Sequence, residues 1–137
     1  MTRQKIQATV ASIRKLGLHG YGGACSAAAV KINKTIFKGK GKYAAGVNEF
    51  LLDQGRVAGH IVVSFAGLFW DSEGVVDPDD LIEWGMVDHE DPDYRNIPGW
   101  NPERAEKSIL IEFDNEREML TACPWNKPIP RKPRVPT

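Results

Sequence analysis

The stretch that decides the fold is His60-Ile61-Val62-Val63-Ser64-Phe65-Ala66-Gly67-Leu68-Phe69-Trp70-Asp71. Ile61, Val63 and Phe65 alternate with His60, Val62 and Ser64, and β-branched residues dominate, so residues 61–65 read as a strand. Ala66-Gly67 is a two-residue turn signal, which makes Leu68 to Asp71 the returning strand of a hairpin. In that register Phe65 faces Leu68, Val62 faces Asp71 and His60 faces Glu73. Side chains alternate with period two, so Asp71 (diagonal) and Glu73 (direct) are expected on the same sheet face as His60.

Upstream the pattern is helical. Ile6, Val10 and Ile13 recur at three- and four-residue steps between Arg, Gln and Lys, predicting a helix over Thr2 to Leu16 that stops at Gly17. His19-Gly20-Tyr21-Gly22-Gly23 is too glycine-rich for helix or strand. A second helix is expected from near Ala24 or Cys25 to about Phe37, with Cys25, Ala28, Ile32 and Ile36 on one face. Ala44, Val47, Phe50 and Leu51 predict a third helix over Lys42 to Gln54. Downstream, Asp77-Pro78 reads as the cap and first turn of a short helix carrying Leu81, Ile82 and Trp84. Met86 to Arg104 reads as loop, Ser108 to Phe113 as a strand, and Asn115 to Thr121 as a last helix. Helices first and strands afterwards predict an α+β fold, with N-terminal helices packed on a small antiparallel sheet.

The 137 residues suit one domain, expected over 1–123, followed by a tail over 124–137. That tail holds five prolines and four basic residues and is expected to be extended or disordered. Basic and acidic residues balance at 18 each, which argues against nucleic acid or an anionic membrane as partner. The lysines at 31, 34, 38, 40 and 42 and the acids between Asp71 and Asp93 read as two solvated faces. No apolar run approaches the ~20 residues of a membrane helix, and Thr2 to Leu18 carries basic residues through what would be the apolar part of a signal peptide. A cytoplasmic setting is expected, with Cys25 and Cys123 as free thiols. The two cysteines lack zinc-site spacing, and the glycine run lacks the Lys-Ser/Thr of a nucleotide loop, so no metal or cofactor is expected. His89, within Asp88-His89-Glu90-Asp91, reads as a solvated loop residue.

The chemistry concentrates on Cys25, His60 and Asp71. Cys25 stands where the glycine loop hands over to a helix, and there the free N–H groups and the dipole favour a thiolate and can hold an oxyanion. His60 opens a strand, where it can act as base, and an acid on its face can fix the tautomer and stabilise the imidazolium. Each residue also has an ordinary role: cysteine is commonly core, histidine a strand residue and aspartate a turn residue.

The order Cys25, His60, Asp71 resembles the papain-like superfamily in its broad sense, including transglutaminase-like domains, over residues 17 to 75. The run His19 to Ser26 is similar to the papain-type run, with His19 at the position of the oxyanion-hole Gln. The stretch Gly59 to Asp71, with an aromatic before the acid, is similar to the transglutaminase pattern. The resemblance implies a papain-like or transglutaminase-like core and a cysteine nucleophile acting on protein or peptide acyl bonds. Cys25, His60 and Asp71 would be catalytic, with His19 and Glu73 as auxiliaries. A non-catalytic interaction module, a degenerate member binding a protein through the acidic 71–93 region, is the alternative expectation.

Overall fold

The computed structural model describes residues 1–19, 25–50, 60–85, 96, 98–105 and 108–122. The glycine loop at 20–24, His89, Cys123 and the tail over 124–137 lie outside the described residues. The first helix, α1 (Arg3–Lys15), is capped by Thr2, whose hydroxyl accepts from the Lys5 N–H. The second, α2 (Cys25–Thr35), presents Cys25, Ala29 and Ile32 to the core. Strands β1 (Lys42–Asn48), β2 (Ile61–Phe65), β3 (Leu68–Asp71) and β4 (Gly74–Val76) follow. Helix α3 (Pro78–Trp84), a single turn α4 (Pro102–Ala105), strand β5 (Ser108–Phe113) and helix α5 (Glu116–Ala122) complete the described elements. The fold is α+β, and every strand pair of its five-stranded sheet is antiparallel, in the order β4-β3-β2-β1-β5.

The hairpin register is the expected one. Phe65 pairs with Leu68 and Val63 with Trp70, and Ala66 and Gly67 take the paired positive φ values, 55° and 74°, of a tight two-residue turn. The predicted helix over Lys42 to Gln54 is wrong for its first half, because Lys42–Asn48 is strand β1, between β2 and β5. Every residue from Tyr43 to Asn48 is buried, so β1 faces protein on both sides and has no polar alternation to announce a strand. Its helix-like apolar spacing was accidental. The second difference is β4: the chain turns back after Asp71 and adds an edge strand that the polar, glycine-containing sequence did not suggest.

Two apolar clusters sandwich the sheet. On one face Ile13 of α1, Ala29 and Ile32 of α2 and Met119 of α5 close over Tyr43, Ala45, Val47, Ile61, Val63 and Trp70. On the other, fully buried Leu81 of α3 packs with Ala44, Val62 and Val76. A glycine makes the second approach possible. A Cβ at Gly46 would overlap the Leu81 carbonyl, so α3 lies against the bare backbone of β1. Buried Asn33 ties the end of α2 to the sheet: its amide donates to the Gly41 carbonyl and the Tyr43 hydroxyl (both 3.1 Å), and its Oδ1 accepts from the Gly41 N–H (2.8 Å). An apolar replacement would leave those groups without partners in a dry site. The lysines at 31, 34, 38, 40 and 42 are exposed, and two of them meet acids of the C-terminal part: Lys34 with Glu116 and Lys42 with Asp114 (both 3.3 Å). Among the described residues no helix is long and apolar enough to cross a membrane.

Candidate active site

Antiparallel pairing brings the start of β2 and the end of β3 to one end of the sheet. His60 immediately precedes β2, and Asp71 is the last residue of β3. Because Val63 faces Trp70, His60 and Asp71 share a face as diagonal neighbours. The contact is direct: His60 Nε2–H donates to Asp71 Oδ2 over 2.9 Å. The other carboxylate oxygen, Oδ1, accepts the N–H groups of Glu73 (2.8 Å) and Gly74 (3.2 Å) where the chain turns into β4. Asp71 is thus a turn residue and an imidazole partner at once. The turn holds the carboxylate still, and a fixed acid can orient the ring.

Cys25, the first residue of α2, is hydrogen-bonded to the same imidazole. Burial lowers the His60 pKa, but the hydrogen bond it donates to Asp71 and then the one with Cys25, together with charge interactions, outweigh it and raise the pKa from 6.5 to about 9. The ring is therefore protonated at neutral pH. The arrangement can supply a nucleophile, a proton carrier and an orienting acid in one hydrogen-bonded chain.

The three side chains are well enclosed, with Cys25 5%, His60 8% and Asp71 6% exposed. Trp84, at the end of α3, closes over the ring: its indole meets His60 edge-on at 5.1 Å between centroids, with planes at 87°. Sequence reasoning assigned Trp84 only to a short helix. Nothing local marks it as a neighbour of His60, because the contact depends on how α3 crosses the sheet. The two auxiliaries fare differently from the triad. Glu73 does not face His60 as a two-strand register implied, because the chain turns at Ser72 and Glu73. Its side chain is exposed, and its carbonyl accepts from Arg14 Nε (2.8 Å). His19 is also exposed. Among the described residues no cluster of three or more His, Cys, Asp and Glu side chains fit to hold a metal occurs. Trp100 packs edge-on against Phe50 (5.3 Å).

A groove of about 400 Å³ lies between α2 and α5, lined by Ala27, Val30, Lys31, Lys34 and Leu120 among others. Successive helical residues turn by ~100°, which puts positions 27, 30, 31 and 34 on the side of α2 away from Cys25. Compared with protein-family models, with curated proteins and with solved structures, the chain matches none.

Proposed function

We propose that the protein is a cysteine-dependent acyl-transfer enzyme acting on amide or related acyl bonds of peptides or proteins, with a papain-like or transglutaminase-like arrangement of its core. The observation that carries this reading is the continuous hydrogen-bonded chain Cys25–His60–Asp71, with the cysteine at a helix start. In the proposed cycle the Cys25 thiolate attacks the acyl carbon, and the carbonyl electrons move onto oxygen, where the Cys25 N–H stabilises them. His19 is the side-chain candidate for the same task. Collapse of the intermediate expels the amine, which takes its proton from the His60 imidazolium and leaves a thioester. Water, or a second amine, then gives a proton to His60 as it attacks the thioester, and the thiolate is released. Asp71 holds the ring and stabilises its charged form throughout. Hydrolysis, deamidation and transamidation differ only in the leaving group and the second nucleophile.

A screen of acyl-transfer probes (fluorogenic esters, amides and glutamine peptides) on the wild type and Cys25→Ala tests the reading. Turnover lost in Cys25→Ala supports it, and absence of turnover and of acyl-enzyme in the wild type counts against it. The enclosure of all three side chains favours one alternative, a non-catalytic protein-interaction module retaining a buried polar cluster. That module predicts a thiol of ordinary reactivity.

A further inference from the structure

A large side chain touches the proposed base and also reaches solvent. Trp84 is 44% exposed while its indole contacts His60, which is 8% exposed. Leu81, fully buried one turn earlier, pins α3 to the sheet and so fixes where Trp84 stands. Asp80 lies four residues before Trp84, on the same helix face, and aromatic side chains on helices lean toward the preceding turn. Exposed Glu83 precedes Trp84 in the chain.

These acids differ from those elsewhere on the molecule. Glu112, Asp114 and Glu116 are engaged by Lys42 and Lys34, whereas among the described residues no ion pair involves Asp79, Asp80 or Glu83. An exposed indole on a helix that also carries carboxylates outside any ion pair among the described residues suits an organic cation, which gains from the ring quadrupole and the charges together. We infer that Trp84, with Asp80 and Glu83, determines specificity by receiving a cationic group of the substrate, a lysyl or arginyl side chain or an alkylammonium, beside Cys25. The inference rests on Cys25 being the reacting group, and it adds the class of acyl substrate that the site prefers.

The test uses the full chain carrying Cys123→Ser, so that labelling reports Cys25 alone. Three methanethiosulfonates of similar size are compared: trimethylammonioethyl, hydroxyethyl and sulfonatoethyl. In each the thiolate forms a disulfide with the sulfenyl sulfur and methanesulfinate leaves with the bonding pair. Rates are divided by those of the same reagents with 2-mercaptoethanol. The cationic reagent is expected to outpace the anionic one by about 10-fold. The ratio should fall at least threefold in Trp84→Leu and in Asp80→Asn/Glu83→Gln, and Trp84→Phe should retain more of it than Trp84→Leu. Equal normalised rates, a preference indifferent to these substitutions, or a Cys25 that none of the reagents reaches would each overturn the inference. The two readings fail separately. Charge-selective labelling without turnover of any acyl probe sinks the enzyme and keeps the cation site, whereas turnover without charge preference does the reverse.

Discussion

In the variant Asp71→Asn the side chain keeps its shape and loses its charge, and the β3–β4 turn dictates which way the amide lies. Oδ1 accepts from the Glu73 and Gly74 N–H groups, so the asparagine must keep its carbonyl there and turn its NH₂ toward His60 Nε2. A donor then faces a ring nitrogen that in the wild type is itself a donor. The imidazole has to accept at Nε2, which requires a neutral ring protonated at Nδ1. The rise of His60 from 6.5 to about 9 represents about 3 kcal/mol in favour of the imidazolium. The hydrogen bond to Asp71 is the largest of the contributions that raise it. Removal of a carboxylate at contact distance shifts a pKa by about 1–3 units, so His60 in the variant should titrate at roughly 6–8. Long-range ¹H–¹⁵N NMR of the imidazole against pH reads both quantities: the midpoint should drop, and the neutral tautomer should carry its proton on Nδ1. A midpoint within about half a unit of the wild type's, or an Nε2–H tautomer, refutes the reasoning about how the turn and the ring share this carboxylate.

Two further outcomes follow from the same structure. Because the folded His60 pKa lies above its unfolded value, its contribution to stability is fully present below about pH 6.5 and is lost as pH rises through about 9. Urea unfolding across that window should show a decline of up to about 3 kcal/mol, absent in His60→Gln, and a flat wild-type profile contradicts it. Gly46→Ala places a methyl group against the Leu81 carbonyl, a backbone atom that cannot rotate aside. It should cost about 2–4 kcal/mol by displacing α3, and a loss under about 1 kcal/mol means that α3 does not sit on β1 as described.

How much of this was legible in the sequence depends on whether the decisive signal was local. The hairpin was, since a glycine turn between a β-branched run and an apolar, aromatic one states its own register, and that register alone put Asp71 on the face of His60. The helix starting at Cys25 and the helix capped by Asp77 were legible for the same reason, a breaker or cap next to periodic apolar residues. Strand β1 was not, because burial on both faces replaces alternation with a run of small residues whose spacing mimics a helix. Glu73 was misplaced because a register read from one hairpin cannot say where the strand ends, and here Asp71 itself, by capping the next turn, ends it. Trp84 could not have been assigned to the site, since its position beside His60 depends on the close approach of α3 at Gly46.

The central claim is that His60 activates Cys25. The most direct measurement is the rate at which iodoacetamide alkylates Cys25 at pH 6, in a Cys123→Ser background, with and without His60→Ala. An ordinary thiol has a pKa near 8.5 and is almost wholly protonated at that pH. The account predicts rapid alkylation of the wild type at pH 6 and a loss of about 10-fold or more on removing the imidazole. A Cys25 that reacts at pH 6 no faster than a small-molecule thiol, and at the same rate in His60→Ala, contradicts it.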